Sequence, residues 1–64
     1  MLSFRAIEEE DGWLCRHGSH VFDVHGTLEE AVEHMKGLAS DDPPSQVWVH
    51  RLTAAPEIVA TFEE

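Results

Sequence analysis

TLEEAVEHMKGLA, residues Thr27 to Ala39, is the stretch on which the fold of this chain turns. Leu28, Ala31, Val32, Met35, Leu38 and Ala39 recur at helical spacing, so all six fall on one stripe of an α-helix. Thr27 suits the N-cap, because its hydroxyl can accept from an orphan amide of the first turn. Glu30 follows three residues later and can complete a capping box. Glu29, Glu30 and Glu33 lie off the apolar stripe, the first two near the positive end of the helix dipole. Ser40-Asp41-Asp42-Pro43-Pro44 then ends the helix, since proline cannot donate and restricts the residue before it.

Working outward towards the N-terminus, Leu2 to Glu8 alternates as a strand, with Leu2, Phe4 and Ala6 on one face. Glu9-Glu10-Asp11-Gly12 is a polar turn ending in glycine. Gly18-Ser19 is a two-residue hairpin loop with glycine first. Folding there pairs His17 with His20, Cys15 with Phe22 and Trp13 with Val24, all on one face. Beyond the prolines, Gln46 to Leu52 and Glu57 to Phe62 form the last two strands around Thr53-Ala54-Ala55-Pro56. Pairing Leu52 with Glu57 sets Val49 beside Ala60 and Val47 beside Phe62.

These elements predict a single α+β domain over residues 1–64: an antiparallel β-sheet with one α-helix packed on one face, in the order β-β-β-α-β-β. The expected core is Phe4, Ala6, Trp13, Cys15, Phe22, Val24, Val47, Val49, Ile58, Ala60 and Phe62 against the helix stripe. Leu14, Val21, Trp48, Leu52 and Val59 are left on the far face of the sheet. Such a patch suits an interface, a homodimer among the options.

Thirteen acidic residues face four basic ones, for a formal net charge of -9. Such a surface repels nucleic acid and anionic membranes, so direct binding to either is not expected. The charge fits an ordinary soluble surface, a salty cytoplasm that disfavours lysine, or an acidic face shaped for a basic partner. The last option makes Glu8, Glu9, Glu10 and Asp11, with Glu29, Glu30 and Glu33, the partner-binding residues for a basic protein or nucleoprotein complex. Antitoxins and phage-encoded inhibitors that imitate nucleic acid, anti-CRISPR proteins among them, work in this way. One cysteine excludes an internal disulfide, no apolar leader follows Met1 and no run is long enough to span a membrane. A cytoplasmic protein is expected.

Chemistry has few footholds. Cys15-x-His17-x-x-His20, with His25 further on, is the one cluster of metal-ligating residue types. Its spacing is a weaker signal than a paired C-x-x-C, so Cys15, His17 and His20 are the only metal candidates and no metal or cofactor is expected. There is no nucleophile elbow, phosphate loop or zinc-protease motif, and Cys15 points into the core. An enzyme is not expected.

Phe4 to Trp13 (a phenylalanine seven residues ahead of Asp-Gly-Trp), Thr27–Glu33 (TLEEAVE) and Ser45–His50 (SQVWVH) together resemble a small bacterial family known as domain of unknown function 2188. That resemblance covers nearly the whole chain and implies a strand-rich start, one helix and a closing hairpin, with no activity attached. Glu8–Trp13 (EEEDGW) and Gly26–Ala31 (GTLEEA) are also similar to the N-terminal domain of HicB-type antitoxins. This second resemblance implies an acidic domain that blocks a small basic ribonuclease. The usual C-terminal DNA-binding segment of those antitoxins has no counterpart here.

Overall fold

Alternating strands, turn glycines and the capped helix produce β1 (Leu2–Glu9), β2 (Gly12–His17), β3 (His20–His25), α1 (Leu28–Ser40), β4 (Ser45–His50) and β5 (Glu57–Phe62). The computed structural model describes the whole chain, Met1–Glu64. It is an α+β domain in which α1 packs across a five-stranded sheet, and the elements follow one another in the expected order. The expectation of a purely antiparallel sheet is corrected. In space the strands run β3-β2-β1-β4-β5, and β4 lies parallel to β1. The physical reason is the helix itself. It carries the chain back along the sheet after β3, so β4 starts beside the beginning of β1 and must run in the same direction.

Thr27 caps the helix as expected: the Glu30 amide donates to Thr27 Oγ1 at 3.2 Å, and that hydroxyl donates to Glu30 Oε1 at 3.1 Å. The carboxylate thus reaches the hydroxyl of Thr27 rather than its backbone amide. At the other end Asp41 N–H donates back to Leu38 O, and the buried Ser45 hydroxyl donates to Ala39 O at 2.6 Å. With Asp42 N–H also donating to Ala39 O at 3.2 Å, carbonyls of the last helical turn are satisfied in this way. Phe4, Ala6, Cys15, Val47 and Val49 on the sheet close against Ala31, Met35 and Ala39 on the helix, with Trp13, Phe22, Ala60 and Phe62 packed around them. Met35 is wholly buried at the centre, and covering a side chain of that size contributes roughly 1.5–3 kcal/mol.

Two registers differ from expectation. His17 pairs with His20 across Gly18, whose φ of 59° explains glycine at that turn. A β-bulge at Cys15–Arg16 then slides the partner strand by one residue, so Cys15 meets Asp23 and Trp13 meets His25. Val24 therefore leaves the expected core and is 53% exposed. In the second hairpin the Leu52 amide donates to Glu8 Oε1 at 2.9 Å instead of joining a ladder with β5. Pairing begins at Val49–Glu57, a second bulge follows at Val47–Trp48, and Val47 faces Ala60 while Ser45 faces Phe62. Ile58 is thereby turned out of the expected core, and Leu52 stands in the loop between β4 and β5.

Candidate functional site

The bulge in β2–β3 has a chemical consequence. By keeping Asp23 on the side of Cys15, it aims a carboxylate into the seam between β3 and the helix. His25, two residues on, points the same way, and His34 meets both from α1. His25 Nε2 lies 3.1 Å from Asp23 Oδ1 and 3.1 Å from His34 Nδ1, and His34 Nδ1 lies 3.3 Å from Asp23 Oδ1. Cys15, Asp23, His25 and His34 each bring one ligand-type atom into a group whose members all lie within 4.8 Å of one another. Asp23 Oδ1 is buried and has no hydrogen-bond partner. Glu30 Oε2 stands 4.0 Å from His25 Nδ1, behind the ring. Cys15 Sγ is sealed beneath the group, 3.9 Å from Ala31 O and 4.0 Å from Trp13 O. Burial, and then the neighbouring Asp23 carboxylate, push its thiol up to about 11.

His17 and His20, which spacing had grouped with Cys15, are engaged elsewhere. His17 stacks on Phe4 at 4.9 Å between centroids, and His20 meets the edge of Phe22 at 4.7 Å. Asp23 and His34 carried no signal in the sequence. Asp23 needs the bulge to face inward, and His34 sits on the flank of the helix stripe.

Most of the acidic residues gather at one end of the sheet, with Asp41, Asp42, Glu63 and Glu64 at the other. The β1–β2 turn, the first turn of α1 and the start of β5 all lie there, because Glu9 pairs with Gly12, Trp13 with His25 and Val49 with Glu57. Glu9, Glu10, Asp11, Glu29, Glu30, Glu33 and Glu57 are exposed in this region. Glu8 accepts from Leu52 N, and Glu30 is tied to Thr27 and His25, so these two also serve the fold. The nearest cation, Arg51, lies 3.6 Å from Glu57.

The face of the sheet away from α1 has a different character. Register places Val21, Arg16, Arg5, Trp48 and Ile58 in one row across it, and Val24, Leu14, Ile7 and His50 in the next. Neither row holds a carboxylate, although the chain as a whole is strongly acidic. Val21 and Ile58 are 52% and 46% exposed, and Trp48 Nε1 is buried without an acceptor. Arg5 lies over the Trp48 ring at 5.3 Å and donates to His50 Nε2 at 2.8 Å. Of the apolar interface expected from sequence, Leu14, Val21 and Trp48 are on this face. Leu52 is in the loop, and Val59 sits at the bulge beside it. Val24 and Ile58 were missed, because alternation without bulges assigned them to the core.

No helix is long and apolar enough to cross a membrane. No curated protein and no solved structure matches the chain. The resemblance to HicB-type antitoxins is therefore without support from these comparisons. A family match does exist, over residues 5–55, which spans β1 to the β4–β5 loop and so takes in the helix and four of the five strands. The chain belongs to the family described as "Uncharacterized protein conserved in bacteria (DUF2188)".

Proposed function

We propose that this chain is a non-enzymatic binding protein of the cytoplasm whose acidic end occupies the basic surface of a nucleic-acid-handling partner and thereby inhibits it. The observation that carries the reading is the gathering of carboxylates from three separate segments at one end of the sheet. Glu9–Asp11, Glu29 with Glu33, and Glu57 are brought there by topology rather than by a single charge run. Charge of one sign on one end steers a basic partner into fast, oriented and salt-sensitive association. Affinity capture at low salt, followed by a high-salt wash and mass spectrometry, tests it. A basic nuclease or nucleic-acid-binding protein should elute with salt and lose activity when the chain is added back. Recovery of no such protein, or no inhibition of the one recovered, would count against the reading.

The open sheet face supports a second reading, a homodimer. Exposed Ile58 lies beside a tryptophan whose buried Nε1 has no acceptor in its own chain, and exposed Val21 and Val24 stand on the same face at its opposite edge. Trp48→Ala should then convert a dimer to a monomer in light scattering, and a wild-type monomer at high concentration would exclude it.

A further inference from the structure

We propose that Cys15, Asp23, His25 and His34 bind one zinc-class divalent cation, which fastens β2, β3 and α1 together. The inference is independent of the acidic surface. Asp23 Oδ1, His25 Nε2 and His34 Nδ1 form a triangle with sides of 3.1, 3.1 and 3.3 Å. Tetrahedral zinc held at ~2.0–2.1 Å by nitrogen and oxygen donors spaces those donors by about 3.3–3.4 Å. The triangle is already close to one face of that tetrahedron. Cys15 Sγ is at hand as the fourth donor, since all four ligand atoms lie within 4.8 Å of one another.

A hydrogen bond between His25 Nε2 and His34 Nδ1 accounts for one side of the triangle but not for the other two. A proton placed along one side of such a triangle points away from the third atom, and Asp23 Oδ1 is left buried with no partner. One cation satisfies all three atoms together. The surroundings match what a metal-bound histidine requires. Glu30 Oε2 stands 4.0 Å behind His25 Nδ1, and the other oxygen of the same carboxylate, Oε1, accepts from the Thr27 hydroxyl at 3.1 Å, which steadies the group behind a ring whose Nε2 faces the other donors. A thiolate, two imidazoles and one carboxylate favour zinc over calcium or magnesium. Cys15 gives its proton to solvent as the Zn–S bond forms. Four protein donors make a closed, structural site, and a cation that binds only the folded chain stabilises it by mass action.

The test uses the full chain, stripped with a chelator and titrated with cobalt(II), then with zinc. Expected are one equivalent bound, the visible absorption of tetrahedral cobalt, a near-ultraviolet sulfur-to-cobalt band, and displacement of both by zinc with a rise in unfolding temperature. Cys15→Ala should abolish the sulfur band. His34→Ala, at a side chain that is one-third exposed, should weaken binding by at least about 100-fold with the circular dichroism unchanged. The double variant His17→Ala, His20→Ala should bind as wild type. No spectral change up to about 1 mM cobalt would overturn the proposal. So would a spectrum that survives His34→Ala or lacks the sulfur band in the wild type. Should Cys15→Ala fail to fold, the wild-type sulfur band and His34→Ala decide the matter between them.

Discussion

Arg5 Nη1 donates to His50 Nε2 at 2.8 Å, a bond open only to an imidazole whose Nε2 keeps its lone pair. Burial, then the charges of Arg5 and Arg16, lower the pKa of His50 below its ordinary value. The unfolded chain therefore takes up this proton more readily than the folded one. Stability from this source is complete above the unfolded pKa and declines as pH falls through it towards the lower folded value. The urea midpoint should fall between about pH 7.5 and about pH 5, and His50→Gln, which can still accept from Arg5, should flatten that part of the profile. An identical pH slope in the variant would show that His50 takes no part in this pH dependence. Nothing in the sequence pointed to this contact, since the two residues lie 45 apart and meet only because β1 and β4 are neighbours.

At the scale of elements, the helix was legible because its signals are local. The apolar stripe, the Thr27 cap and the Asp-Asp-Pro-Pro stop all act within a turn or two of the chain. Thr27→Ala should cost ~0.5–2 kcal/mol in chemical denaturation, the range for losing a threonine cap. The Gly18 turn was legible for the same reason. The bulges were not, because Phe22 and Asp23 break a period-two pattern for the sake of partners distant in sequence: Phe22 for Phe4 and His34, Asp23 for Cys15. This is also why spacing grouped Cys15 with His17 and His20, whereas the fold brings it to Asp23, His25 and His34. Gly12 marks the same junction, with a φ of 147° and room for no Cβ, which would lie 2.5 Å from His25 O. Gly12→Ala should destabilise the chain by at least ~1–3 kcal/mol, and a neutral effect in urea titration would contradict the close approach of β2 to the end of β3.

For the whole molecule, small size sets a thin margin. A domain of this length buries only ~60% of its unfolded surface, so a loss of ~2–5 kcal/mol on Met35→Ala should leave a large unfolded fraction at room temperature, visible by circular dichroism. The parallel pairing of β1 with β4 could not be read from the chain, because strand neighbours depend on where the helix returns the backbone. That pairing brings the β4–β5 loop and Glu57 to the end that holds the β1–β2 turn and the start of α1, and so concentrates the negative charge. In the function proposed above, this end is the binding surface. Its most direct test is the affinity of the salt-eluted partner for wild type and for the variant carrying Glu10→Lys, Glu29→Lys and Glu33→Lys, with helix content checked in both. Wild-type affinity should fall as salt rises, and the variant should bind at least about 100-fold more weakly at low salt. Equal affinity in the two proteins, with equal dependence on salt, would show that the acidic end takes no part in binding.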